Sequence, residues 1–319
     1  MAADPSRVVA DLPGMAALRN ARVRSDGYGE VTTLDAITEN YSHLQRCDVE
    51  TDLVVVECDG HVVGYARTTW NDSDEGTRDH WLVVETDARH PGLDVRLLEW
   101  GSARATANAT AMAGETDRPQ QIVSEVLIGG MREPALVAQG YAPIRYGAMM
   151  IRPHLRDIPD GPLPDGVELR PVEDDHLRSI FEADKDAFRD HWGFVEPTED
   201  DWEMFCDGAR SNGTSLWKVA WAGDAVVGQV RTYVVEGERE LFGAQRAWTE
   251  HISTSRNWRK RGVASAAICA SLRQLAELGF EQAILGVDTQ NPTGAFSLYE
   301  SLGYGVVAMD AVFARPIRA

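Results

Sequence analysis

The sequence predicts two tandem copies of one α+β fold. Short motifs return in the same order in both halves: Val62-Val63-Gly64 recurs as Val226-Val227-Gly228, and Gly140-Tyr141 recurs as Gly303-Tyr304. Both recurrences keep one spacing to within a residue, as expected of a duplicated domain. The length of 319 residues also suits two domains, since a domain usually holds about 100 to 200 residues.

A segment rich in proline and glycine separates the copies. It reads Ile158-Pro159-Asp160-Gly161-Pro162-Leu163-Pro164-Asp165-Gly166, a composition that prevents regular secondary structure. We therefore assign residues 1–154 to an N-terminal domain, 155–165 to a linker and 166–319 to a C-terminal domain.

Each copy contains a predicted β-hairpin. Asp59-Gly60 and Gly223-Asp224 are turn dipeptides flanked by apolar, β-branched segments, a pattern typical of hairpins. The predicted strand pairs are 54–58 with 61–69 in the first copy and 217–221 with 225–235 in the second. The first copy reaches a helix, predicted over 13–21, almost at once, so we expect it to lack a first strand.

A long helix follows each hairpin, over 94–113 and 263–278. The second is amphipathic, with Gly279 placed to end it. Its apolar face is predicted to contain Val263, Ala267, Ile268, Leu272, Leu275 and Leu278. Three further elements are predicted in the second copy: strands over 248–254 and 280–288, and a short helix over 292–302 with Asn291 as its N-cap.

Charge and cysteine content exclude several classes of partner. The net charge of -19 disfavours nucleic acid and anionic membrane surfaces. No segment approaches the roughly 20 apolar residues of a membrane span, and the first residues lack a signal-peptide pattern, so we expect a cytoplasmic protein. The cysteines have no spacing that indicates a metal site or a disulfide framework, and we expect reduced thiols at Cys47, Cys58, Cys206 and Cys269.

One basic segment stands out in this acidic chain. Residues 256–264 carry four cations and end in small residues where a helix is predicted to begin. Free amide groups and the positive end of a helix dipole would meet there, which predicts an anion site. The alternative interpretation is a solvated basic helix cap.

Two motifs resemble signatures of the GNAT superfamily of acetyl-CoA-dependent N-acetyltransferases. Arg259-x-x-Gly262-x-Ala264 is similar to its pyrophosphate loop, and Asn291 followed by Leu298-Tyr299-x-x-x-Gly303-Tyr304 is similar to its second signature. The resemblance implies two tandem GNAT folds, each a mixed, mostly antiparallel sheet with a splayed central strand pair flanked by helices. It also implies acetyl-CoA as cosubstrate and no metal.

The resemblance further implies which residues hold acetyl-CoA. The backbone at Ile252, Ser253 and Thr254 would hold the pantetheine arm, and Asn291 would contact the cofactor. The pyrophosphate would lie on the amides of Arg261, Gly262, Val263 and Ala264, with Arg259 and Lys260 nearby.

Tyr299 would lie near the sulfur and protonate the leaving thiolate; the alternative is a half-buried packing aromatic. A base must also deprotonate the amine. Strand alternation points either Glu250 or its neighbour His251 into the cleft, and we favour Glu250, acting directly or through water.

The first copy lacks the residues of these two motifs. Leu136 and Ile128 stand at the positions equivalent to Tyr299 and Asn291, and the loop that replaces the basic segment contains Pro91 and Asp94. We expect this copy to be degenerate.

In the second copy, segments 188–194 and 196–203 combine aromatic and acidic residues, and they either line an acceptor cleft or pack as a surface cluster.

The sequence therefore predicts acetyl transfer from acetyl-CoA to a primary amine of a small molecule, carried out by the C-terminal domain of a monomer or homodimer. The arrangement of two domains with the active one at the C-terminus is similar to that of mycothiol synthase, so acetylation of a cysteinyl amine is one alternative. A non-catalytic acetyl-CoA-binding or scaffold protein is another.

Overall fold

The computed structural model describes the backbone of residues 5–317 and the side chains of residues 9–317. Contacts divide the chain into two units. The first holds the residues up to Gly147 together with those from Ala308 onward, and the second holds Ala148–Val307. The boundaries at 154 and 166 stay a prediction, because they mark where each repeat ends along the chain, whereas this division follows contacts in space.

The first unit is a mixed sheet with helices packed on it. The elements are α1 (Pro5–Asp26), α2 (Leu34–Ser42), β1 (Leu53–Cys58), β2 (His61–Asp72), β3 (Arg78–Thr86), α3 (Leu93–Ala111), β4 (Gln120–Leu127), α4 (Glu133–Ala138), the start of β5 (Ala142–Arg152), and residues 308–316 of β11 (Gly305–Pro316). The strands run in the order β1-β2-β3-β4-β11, and of the neighbouring pairs only β3 and β4 are parallel.

Local signals in the first half are confirmed. Asp59 and Gly60 adopt φ angles of 51° and 76°, the left-handed pair that a tight hairpin requires, and they join β1 to β2. Among the described residues, no strand precedes α1. This helix is longer than predicted because Pro13 lies inside it and does not begin it.

The second unit repeats the plan with an added first strand. Its strand order is β5-β10-β9-β8-β7-β6, where β5 contributes residues 148–152. The elements are β6 (Glu168–Arg170), α5 (Leu177–Phe188), α6 (Glu199–Asn212), β7 (Lys218–Ala222), β8 (Ala225–Tyr233), α7 (Glu238–Phe242), β9 (Arg246–Thr254), α8 (Val263–Glu277), β10 (Gln282–Asp288) and α9 (Ala295–Ser301), with short 3-10 turns at Asp174–His176 and Arg256–Trp258.

Helix α8 anchors the core of the second unit. Ile268, Leu272 and Leu275 are almost fully buried in one apolar cluster with residues of β9 and β10. Truncating one of them to alanine would cost about 2 to 5 kcal/mol. The prediction that Leu278 belongs to the apolar face is wrong. Leu278 is the C-cap of α8 and is 58% exposed, because the chain turns away at Gly279.

The central parallel pair of the second unit is splayed, as the α+β prediction requires. Strands β9 and β10 pair only from Arg246 with Gln282 to Trp248 with Ile284, and then diverge. One edge of β9 thus leaves its partner, while its other edge stays paired with β8.

Among the described residues, no helix has the length and apolarity of a membrane span.

Candidate active site

The diverging ends of β9 and β10 open into a cleft of about 840 Å³. This volume lies in the range of pockets that enclose small molecules. The cleft brings together most of the predicted site residues, namely Glu250, Ile252, Ser253, Thr254, Arg259, Lys260, Gly262, Val263, Ala264, Asn291 and Tyr299. Arg261 is not part of the lining; its guanidinium lies 3.9 Å from the ring centre of Trp258, which does line the cleft.

The N-terminus of α8 lies where the sequence predicts an anion cradle. Gly262 precedes the helix with a φ of 89°, and a Cβ there would meet no atom within 4 Å, so conformation and not space favours glycine. The helical hydrogen-bond ladder starts at Ala266, whose amide donates to Gly262. The amides of Val263, Ala264 and Ser265 precede it and lie at the positive end of the helix dipole.

Two of the four cations beside the cradle are paired with Asp190. Its carboxylate lies 2.8 Å from Arg256 and 2.7 Å from Arg259. Arg259 also donates to the carbonyls of Thr254 and Ala187, at 3.3 and 3.0 Å. Lys260 is exposed, with a left-handed φ of 58°. The sequence marked this basic segment but gave no signal that Asp190 would neutralise part of it.

A β-bulge changes the expected alternation along β9. Gln229 pairs with Ser253 but Arg231 pairs with Glu250, so β9 carries one extra residue. The irregularity coincides with His251, whose φ is 45°. The expectation that only one of Glu250 and His251 reaches the cleft is therefore wrong, because the bulge lets both side chains line it.

Glu250 is positioned by the neighbouring strand. Its Oε1 accepts a hydrogen bond of 2.8 Å from the amide of Gly286 on β10. The side chain is half-buried and close enough to Tyr299 for its charge to act on the phenol. Glu250 thus lies where the two strands part.

Tyr299 presents a neutral phenol to the cleft. The residue lies on α9 and is only 6% exposed. Burial, followed by the charge of Glu250 and the neighbouring Tyr304, raises the pKa of Tyr299 well above its usual value. A protonated hydroxyl can donate a hydrogen bond or a proton to an anion formed beside it.

The prediction that Asn291 caps α9 is wrong. The helix begins three residues later than predicted, after Gly294, which has a left-handed φ of 81°. The Oδ1 of Asn291 accepts hydrogen bonds from the amide and hydroxyl of Thr293, at 2.8 and 2.7 Å. This local turn competes with the helix. The Nδ2 of Asn291 lies 3.5 Å from Nε2 of His191.

A buried carboxylate on α5 contacts the bulge and was not foreseen. Asp184 lies 2.5 Å from the guanidinium of Arg231, 3.1 Å from the amide of Gln229 and 3.3 Å from Nδ1 of His251. Burial opposes its ionisation, but Arg231, His251 and Ser253 outweigh burial and lower the pKa of Asp184. No sequence pattern links these residues, because a bulge is needed to bring them together.

The aromatic and acidic segments of the second copy separate in space. Phe188, Asp190 and His191 line the cleft, and burial lowers the pKa of His191. The acidic segment 196–203 does not line it. There, Glu196 pairs with Lys185 at 2.7 Å and Thr198 caps α6.

The corresponding region of the first unit is closed. Strands β3 and β4 also diverge, beyond Trp81 and Val123, but β2 and β3 pair without a bulge. The guanidinium of Arg132 donates to the carbonyl of Val84 in the gap between the strands. The cavity beside Arg132 measures only about 30 Å³. A shallow depression of about 860 Å³ elsewhere on this unit is lined mainly by small side chains of α3 and contains none of the predicted site residues.

Residues 177–304 match the acetyltransferase (GNAT) family. No curated protein matches the sequence. A GCN5-related N-acetyltransferase from Sphaerobacter thermophilus superposes with a TM-score of 0.70 at 22% identity, over 98% of this chain and 94% of that one.

Two further structures are similar. A tandem GNAT protein from the clavulanic acid biosynthesis pathway superposes with a TM-score of 0.61 at 16% identity, over 100% of this chain and 98% of that one. A glucosamine N-acetyltransferase region of a fungal multi-domain GH3 β-N-acetylglucosaminidase gives 0.61 at 13% identity, over 96% of this chain and 37% of that one. These structures confirm the predicted tandem fold, and the family match of residues 177–304 agrees with the predicted acyltransferase class.

Proposed function

We propose that the second unit, whose residues 177–304 match the acetyltransferase (GNAT) family, transfers an acetyl group from acetyl-CoA to a primary amine of a small molecule by direct attack. One observation carries the proposal. A helix N-terminus suited to a pyrophosphate, an open strand edge and a neutral tyrosine lie in one cleft of about 840 Å³. The thioester would be supplied by acetyl-CoA.

The residues of the cleft fit this cosubstrate. The amides from Arg261 to Ala264 would hold the pyrophosphate, with Arg259 and Lys260 beside it. The backbone of Ile252, Ser253 and Thr254 follows the edge of β9 that turns away from β10, which suits the amide groups of a pantetheine arm. Asn291 would contact the same ligand from the α9 side. No metal is part of this proposal.

Glu250 and Tyr299 would share the proton transfers. Glu250 would take a proton from the attacking nitrogen, directly or through a water molecule. Tyr299 would donate its proton to the departing sulfur, since burial and the charge of Glu250 keep the phenol protonated. Because the two residues are close, the proton taken by Glu250 can return to Tyr299.

The acceptor would enter beside Phe188 and His191, which line the cleft. The volume of the cleft favours a small molecule over a folded protein. A cytoplasmic site of action is part of the proposal, since the four cysteines are free and suit a reducing compartment. With both copies on one chain, the protein would act as a monomer or homodimer.

A panel of primary amines tests the proposal. Purified full-length protein is incubated with acetyl-CoA and each amine, and release of the CoA thiol is followed. We expect release that depends on the amine, together with calorimetric binding of one acetyl-CoA per chain. Binding without release for any amine would favour a non-catalytic acetyl-CoA-binding protein. Absence of binding would contradict both functions.

A further inference from the structure

The β-bulge brings a second proton acceptor to the cleft. His251 lines the cleft and its side chain is 53% exposed, so its imidazole is open to solvent and to a bound acceptor. The backbone of His251 has a strained, left-handed φ of 45°, a conformation that proteins often tolerate at functional sites.

Asp184 contacts the Nδ1 side of the His251 imidazole. The Oδ2 of Asp184 lies 3.3 Å from Nδ1 of His251, and Arg231 and Gln229 fix the same carboxylate from β8. A carboxylate on Nδ1 selects the tautomer that carries its proton there. The lone pair of Nε2 is then available to a ligand. The ring of Phe188 lies 6.2 Å from that of His251 and borders it on the acceptor side.

An amine acceptor must lose two protons. It arrives as an ammonium ion, which cannot attack, and its nitrogen loses another proton as the new bond forms. Glu250 is near Tyr299, whereas His251 contacts α5 and lies toward the acceptor entrance. The two candidates therefore lie at different points along the path of the nitrogen.

Resting on the proposed function, we propose that His251, positioned by Asp184, takes the first proton from the ammonium group of the acceptor. The neutral amine then attacks the thioester carbonyl: the N–C bond forms, the C–S bond breaks, and Glu250 takes the second nitrogen proton. Tyr299 protonates the sulfur and recovers a proton from Glu250. His251 releases its proton to solvent, so the products are the amide, CoA thiol and one proton.

Charged groups surround His251 on the elements that pack against it. Asp184 faces it from α5, Arg231 from β8, and Glu250 is its neighbour on β9. Five others share the cleft: Asp190, His191, Arg259, Lys260 and Asp288. Of these groups, Asp184 lies within ion-pair distance of the imidazole, at 3.3 Å from Nδ1.

Acceptor basicity provides the kinetic test. One probe is the best alkylamine of the panel, and the other is its alkoxyamine analogue, which is already neutral near pH 7. We expect His251→Gln and Asp184→Asn to lower kcat/KM at least tenfold for the alkylamine and less than twofold for the alkoxyamine. Glu250→Gln should slow both acceptors. Equal losses of His251→Gln with both acceptors would overturn the assignment.

The imidazole tautomer gives a readout that needs no acceptor. In ¹⁵N-histidine-labelled wild-type protein, with His251→Gln used for assignment, neutral His251 should carry its proton on Nδ1. A proton on Nε2 would overturn the positioning role of Asp184, even if Asp184→Asn fails to fold. A wild-type protein that acetylates no amine would contradict the proposed function, whereas the tautomer would still decide how Asp184 orients His251.

Discussion

The carboxylate of Asp190 lies 2.7 Å from the guanidinium of Arg259, directly beside the amides that begin α8. The same carboxylate pairs with Arg256, and these two arginines hold its pKa below the usual value for aspartate. The carboxylate of Asp190 therefore pairs with two of the four basic side chains that the sequence predicts for binding an external anion. The cradle is accordingly less positive than its sequence implies.

Neutralising Asp190 should tighten acetyl-CoA binding. In Asp190→Asn, Arg256 and Arg259 become available to the phosphates, and we expect affinity to rise roughly two- to fivefold, the range typical of exposed ion pairs. The gain should shrink at high salt. Calorimetry at two ionic strengths measures both effects. Asp207→Asn is the matched control, since Asp207 is also exposed and pairs with an arginine, Arg210, but does not line the cleft. Weaker binding by Asp190→Asn would mean that Asp190 organises the loop.

Alanine at Gly262 should weaken both folding and binding. The left-handed φ of 89° becomes strained with a Cβ, which costs about 1 to 2 kcal/mol. Relieving that strain would rotate the first amides of α8 away from the phosphates. Gly279→Ala is a close control, because Gly279 has a φ of 82° at the other end of α8 and equally open surroundings. We expect similar losses of thermal stability, but a lower acetyl-CoA affinity only for Gly262→Ala.

Removing the Tyr299 hydroxyl should affect chemistry more than binding. We expect Tyr299→Phe to lower kcat by roughly 100-fold or more, with little change in acetyl-CoA affinity, because the ring still packs in the core. Tyr304→Phe provides the contrast. It removes a buried hydrogen bond of 3.0 Å to Thr249, so it should lose about 1 kcal/mol of stability and keep its kcat. Parallel losses of kcat and affinity in Tyr299→Phe would indicate a packing role.

Much of this fold could be predicted because its signals are local. The hairpin turn at Asp59, the apolar face of α8 and the cap at Gly279 each depend on neighbours in sequence. For the candidate site, the sequence predicted only residues in or next to the two motifs. The bulge at His251 and the contacts of Asp184 and Asp190 depend on side chains far apart in the chain, and no periodicity encodes them. The turn at Asn291 was missed because asparagine caps helices and forms turns with the same atom.

Only the second unit should bind acetyl-CoA. Ala264→Asp brings a negative charge to the cradle and should abolish binding. Asp94 occupies the corresponding place in the first unit, two residues beyond the left-handed Gly92 that precedes α3. Asp94→Ala should therefore leave a stoichiometry of one per chain, because Arg132 still fills the gap between β3 and β4. Calorimetry measures the stoichiometry. A second site in Asp94→Ala would show that charge alone silences the first unit.

A carboxyl pair in the first unit should make stability depend on pH. Tyr28 donates a hydrogen bond of 3.1 Å to Asp310, which lies beside Glu125. Although part of the Glu125 residue is exposed, removal of water around its carboxyl and the proximity of Asp310 raise the pKa of Glu125 from 4.5 to about 7.

The sign of the effect follows from proton counting. Between these two pKa values the folded chain keeps a proton on Glu125 that the unfolded chain has lost, so unfolding releases a proton and the free energy of unfolding falls as pH rises. Glu125→Gln should flatten this part of the profile, as measured by urea midpoints from about pH 5 to about pH 8 at constant ionic strength. Glu99→Gln, at an exposed site on α3, should keep the wild-type slope. An unchanged slope in Glu125→Gln would mean that Glu125 is already ionised in the folded protein.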